Sequence, residues 1–79
     1  MSIKEERENI PLDFVIIEIL KRKQMPMRDI ELYNALKSSF GDISFNELNK
    51  ALMTLELRGL VEVDVMKKGV RVVRYVGKW

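Results

Sequence analysis

The chain has 79 residues, with 14 Lys and Arg against 12 Asp and Glu, no histidine and no cysteine. At this length one domain is expected, burying ~60–65% of the surface its unfolded chain exposes. Without Cys or His there is no zinc finger, no thiol or Ser-His catalysis and no disulfide framework, so the chain reads as a binding module, not an enzyme, with no cofactor and no metal.

Residues 1–9, beginning Met1-Ser2-Ile3-Lys4-Glu5-Glu6, mix charges around no apolar core and are not a signal peptide. They are expected to form a charged tail or helix extension, with the domain itself over 10–79. The longest nearly apolar run, Phe14 to Leu20, is interrupted by Glu18 and is too short to span a bilayer. A soluble cytoplasmic protein with no membrane partner is the expectation.

Pro11 suits the first turn of a helix. Leu12, Val15, Ile16, Ile19 and Leu20 then recur at helical spacing as a core stripe, and Lys21-Arg22-Lys23 complements the dipole at the helix end. Pro26 forces Met25 to be extended, and this segment is able to lend residues to a sheet edge. A second helix is predicted over about Arg28–Ser39, with Leu32, Tyr33, Leu36 and Phe40 towards one face and Gly41 as its left-handed stop. The third helix, 44–58, opens on Ser44-Phe45-Asn46-Glu47, the S-x-x-E form of a capping box. Phe45, Leu48, Leu52 and Leu55 form its buried stripe and Gly59 ends it.

After Gly59 the period falls to two. Val61, Val63 and Val65 alternate with Glu62 and Asp64, and Val70–Val76 is a second β-branched run. Lys67-Lys68-Gly69 reads as a three-residue hairpin loop with Gly at a position of positive φ. That loop length sets Val61, Val63 and Val65 opposite Tyr75, Val73 and Arg71, and Glu62 opposite Arg74. Charge divides at the same place: residues 1–64 carry nine cations and all twelve acids, a net −3, whereas 65–79 carry five cations and no acid. Either this basic end meets an anionic partner, or Arg71 and Arg74 merely pair with Glu62 and Asp64 across the hairpin.

This order of elements is that of an α+β winged helix-turn-helix domain: three helices followed by a two- to three-stranded antiparallel hairpin, the wing. Leu48, Leu52, Leu55, Glu56, Gly59, Leu60 and Val61 fill the pattern L-x-x-x-L-x-x-L-E-x-x-G-L-V. In this the chain resembles prokaryotic winged-helix regulators such as the MarR and PadR families. The resemblance implies that the third helix enters the major groove of double-stranded DNA and that the wing, 66–71, touches phosphate. Carried over by position, Asn46, Asn49, Lys50, Met53 and Thr54 face the groove. Lys67, Lys68 and Arg71 meet the backbone, and the N-terminus of the second helix near Arg28 holds another phosphate.

Two features depart from that picture. Lys50 is the third helix's lone cation before Arg58, and Met53 and Leu57 are apolar on its outer side, which also suits a protein-interaction adaptor that binds no DNA. On the first helix Ile10, Phe14 and Ile17 lie roughly opposite the core stripe, and Ile3 is able to extend them. They are covered either within the chain or, as the preferred reading, by a second copy, making a homodimer. Tyr33 and Tyr75 are read as packing residues, the methionines as gap-fillers and the acidic pairs as solvated. Trp79 either folds back on the hairpin or stays free of it.

Overall fold

The structure, a computed structural model, describes residues 11–77. The proposed tail over 1–9, Ile10 and Trp79 lie outside the described residues. Helix α1 (Leu12–Lys23) leads through a two-residue strand β1 (Met27–Arg28) into helix α2 (Asp29–Ser39) and helix α3 (Phe45–Leu57). Strands β2 (Val61–Val65) and β3 (Arg71–Tyr75) follow, joined through a 3-10 turn over Lys67–Gly69. The sheet is antiparallel in the order β1-β3-β2, so the wing has three strands and the fold is an α+β winged helix-turn-helix.

Local chemistry sets the element ends. At the start of α3 the Glu47 N–H donates to Ser44 Oγ (3.1 Å) and the Ser44 N–H donates to Glu47 Oε1 (2.8 Å), a complete capping box. At its end the Leu60 N–H donates to the Leu55 carbonyl and the Gly59 N–H to the Glu56 carbonyl, both at 3.0 Å. This is a Schellman motif, and it places Gly59 at φ +78°. Helix α2 stops where the Phe40 and Gly41 N–H groups both donate to the Leu36 carbonyl, with Gly41 left-handed.

The register expected from a three-residue loop is observed: Val61, Val63 and Val65 pair with Tyr75, Val73 and Arg71, and Glu62 with Arg74. Met27 pairs with Val73 on the other side, so Met27, Val73 and Val63 form one row across the core face of the sheet. The Met66 N–H donates to the Val70 carbonyl above this ladder and the Val76 N–H to the Leu60 carbonyl below it.

Ile16, Leu20, Leu32, Leu36, Leu48, Leu52, Leu55, Val61 and Val73 are the largest fully buried side chains. The turn between α2 and α3 is fastened by Tyr33, whose hydroxyl donates to the Ile43 carbonyl at 3.0 Å and whose ring meets Phe45 edge-on at 5.2 Å. Tyr33 and Tyr75 both pack against the core, as expected.

The first helix requires a correction. Ile17 is 6% exposed and belongs to the core, so it is not part of an outward stripe. Helix α1 packs against α2, α3 and β3 together, and a helix covered on more than one side buries more than one stripe. The axis of burial runs through Ile16, Ile17 and Leu20, with Leu12, Val15 and Ile19 only partly buried. Of the expected dimer residues only Phe14, 57% exposed, presents an apolar side chain to solvent among the described residues.

A Cβ at Gly59 would meet nothing within 4 Å, so substitution there costs conformation alone. Gly59→Ala should lower stability by about 1–2 kcal/mol and Gly59→Asn by clearly less, read from the midpoint of denaturant unfolding. Ser44→Ala should cost about 1 kcal/mol, and Leu48→Ala about 2–5 kcal/mol from the cavity it leaves.

Candidate nucleic-acid interface

The outer side of α3 follows from its inner side. With Leu48, Ala51, Leu52 and Leu55 buried, the helical period turns Asn46, Lys50, Met53, Thr54 and Leu57 to solvent, and all five are exposed. Asn49 lies between the two faces and is half-buried. Thr54 Oγ1 donates to the Lys50 carbonyl at 3.1 Å, which spends its proton on the helix itself. Lys67 and Lys68 are exposed on the turn at the tip of the wing.

Helix and wing flank one groove of about 320 Å³, lined by Asn49, Leu52, Met53, Glu56, Val63 and Arg71. Val63 lines it from the valine face of the hairpin, which rises out of the core along the strand: Val61 is buried, Val63 half-buried and Val65 70% exposed.

Arg71 departs from its expected place. It belongs to the same face of β3 as Val73 and Tyr75, so its side chain projects towards the helices and not towards the tip. There its Nε donates to Asp29 Oδ2 at 3.1 Å and its Nη2 donates to Asn49 Oδ1. The Arg71 and Asp29 side chains keep 29% and 16% of their exposure, respectively. One guanidinium thus joins the wing to the first turn of α2 and the middle of α3. The signal was present in the register, which set an arginine among inward-facing residues where it requires partners. Nothing in the sequence named Asp29 as one of them.

Arg74 does pair with Glu62 across the hairpin, on the outer face, where both side chains are about half exposed. Of the four described cations of the basic end, two are therefore neutralised locally, and Lys67 and Lys68 make no ion pair among the described residues. Arg28 also differs from expectation. Its side chain is exposed, but its backbone N–H donates to Glu31 Oε1 at 3.1 Å, and Asp29 lies beside it in the same first turn. Two carboxylates already complement the positive end of that helix dipole, which leaves little electrostatic room for a phosphate.

Among the described residues no group of three or more His, Cys, Asp or Glu side chains is arranged to hold a metal ion, and no helix is long and apolar enough to cross a membrane.

No known family profile matches the sequence, and no curated protein matches it. A solved structure does. It is one of HOP2, described as giving insight into that protein's DNA recognition and protein interaction domains and its homologous DNA pairing properties. It superposes with a TM-score of 0.73 at 17% sequence identity, covering 81% of this chain and 97% of that one. At that identity the likeness establishes the winged-helix fold.

The two arginines of the wing should differ under mutation. Arg74→Met should change unfolding free energy by less than ~0.5 kcal/mol, as expected for an exposed pair. Arg71→Met leaves the half-buried Asn49 carbonyl and the Asp29 carboxylate without their donor, and should cost roughly 1–2 kcal/mol. Denaturant unfolding of the two variants under one set of conditions measures the difference.

Proposed function

We propose that the chain is a double-stranded DNA-binding winged-helix protein, a small cytoplasmic transcription regulator acting as a homodimer. Helix α3 would lie in the major groove and the wing on the phosphate backbone. The observation that carries this reading is the shared groove, with Lys50 exposed on the helix and Lys67 and Lys68 exposed at the tip of the hairpin. Two further points support it. HOP2, similar in fold, is described by its DNA recognition, and residues 48–61 resemble the MarR and PadR pattern.

The chemistry suits such a role. Thirteen residues of α3 span about 20 Å, enough to cross a major groove about 12 Å wide. Asn46 and Lys50 occupy its first half, the part that reaches base edges when a recognition helix docks. Lysine supplies donors to guanine or phosphate, and exposed Met53 offers apolar contact to a thymine methyl group. Homodimerisation is supported by Phe14, 57% exposed, at a groove it shares with Pro11, Ile17, Leu55 and Leu60. A two-fold dimer would present two recognition helices to half-sites about 34 Å apart.

A second reading draws on Met53 and Leu57, 62% and 84% exposed. They suit a protein partner, and HOP2 is also described by protein interaction.

Affinity for duplex DNA across a salt series separates the two. Binding should fall steeply with salt, and Lys67→Ala with Lys68→Ala should weaken it on every sequence while lowering the log–log slope by roughly 0.9 per lysine. Lys50→Ala should instead erode discrimination between sites by about 1–3 kcal/mol. No retention on DNA at low salt, with stable co-purification of a protein partner, would favour the adaptor. Phe14→Glu should convert a dimer into a monomer in sedimentation, and an unchanged oligomeric state would remove Phe14 from the interface.

A further inference from the structure

We infer that Asn49 and Asp29 are positioning residues: together they hold Arg71, and through it set the outer part of the wing against the recognition helix, so Asn49 is not a reader of bases. The part of this that concerns DNA rests on the proposed function; the part that concerns the wing does not.

Donor and acceptor chemistry fixes how the two side chains meet. A guanidinium is donor-only, so the side-chain amide of Asn49 can meet Arg71 Nη2 only through its oxygen. Asparagine recognises adenine through both ends of its amide, the oxygen accepting from N6 and the nitrogen donating to N7. With the oxygen held by a charged donor, that two-point pattern is broken. Asn49 is also half-buried, beneath the level of the exposed Asn46, Lys50 and Met53.

The topology explains why such a tie is needed. The outward part of the hairpin receives little apolar support, since Val65 and Met66 are 70% and 54% exposed. Arg71 stands opposite Val65 at the last pair of the β2–β3 ladder before the turn. A contact from that position to α3 acts just beyond the pairs that β1 makes with Val72 and Val73, where β3 has β2 alone beside it. Asp29 orients the same guanidinium through Nε and supplies the negative charge that lets it stay half-buried. Three elements far apart in sequence, α2, α3 and β3, therefore meet at one cation. Whatever the wing and α3 touch together, their spacing is set there.

The test has one arm without DNA and one with it. In amide hydrogen exchange, Asn49→Ala and Asp29→Ala should each speed exchange of the Met66 amide, which donates to Val70 across the wing, by about fivefold. Asn49→Asp, which keeps an oxygen for Arg71, should restore slow exchange, a rescue that loss of side-chain bulk alone does not predict. In the DNA arm, Asn49→Ala should lower affinity by the same factor on every sequence of a randomised set, whereas Lys50→Ala changes the preferred sequence. Unaltered Met66 exchange in Asn49→Ala overturns the inference. So does a change of preference confined to one base pair in that variant. If the wild-type chain binds no DNA while the exchange pattern holds, the DNA reading fails and the positioning of the wing stands.

Discussion

The left-handed turn at Gly59 is the constraint on which the remainder of the molecule depends. Helix α3 is oriented by its leucines, but the direction in which the chain leaves it is decided by one residue at φ +78° whose neighbours close a Schellman motif. That exit places Val61 directly in the core. Once Val61 is buried, the period of two sends Val63 and Val65 along the same face, and a three-residue loop returns β3 in a single register. Arg71 then stands opposite Val65, facing the helices. A different exit angle would move every residue of the wing relative to α3, whatever the wing's own sequence.

Features governed by near neighbours were legible in the sequence. The capping box at Ser44 and Glu47 is a contact between residues three apart, and the pairing of Glu62 with Arg74 follows from loop length. The fate of Ile17 was not legible. Whether the second side of a helix is covered depends on how the other elements surround it, and periodicity within α1 is silent about that. The partners of Arg71 were half legible. Register set it inward, but Asp29 is 42 residues away along the chain and entered only through the packing of α2. Asn49 was ambiguous for the same reason, because its position on the helix wheel suits both a groove-facing residue and a half-buried acceptor.

The charge of the chain acquires a different meaning once these pairs are drawn. The basic end is +5 by count, yet Arg74 faces Glu62 and Arg71 faces Asp29. Among its described residues, the field that a polyanion would meet comes from Lys67 and Lys68 at the wing tip, backed by Lys50 on the helix. Each phosphate contact contributes about 0.9 to the salt slope, so a single protomer with three lysines has a shallow electrostatic hold. Two copies would double that number of contacts without any new chemistry, so the proposed dimer would hold a duplex more firmly than one copy would.

The apolar residues of α3 then become easier to place. Met53 sits mid-helix at the rim of the groove shared with the wing, where a flexible thioether side chain can follow a base edge or a protein side chain. Leu57 is different. It is the last residue of the helix and 84% exposed, at the end away from the one that enters a groove when the N-terminal turns meet the bases. A leucine there would gain nothing from DNA, and among the described residues nothing covers it. The two proposed partners therefore need not compete for one surface, since a duplex would engage the first turns of α3 and the wing tip and would leave Leu57 free at the far end. The weak charge of the helix and its apolar end are then consistent with one arrangement, in which base contacts come from Asn46, Lys50 and Met53 and electrostatic hold comes from the wing.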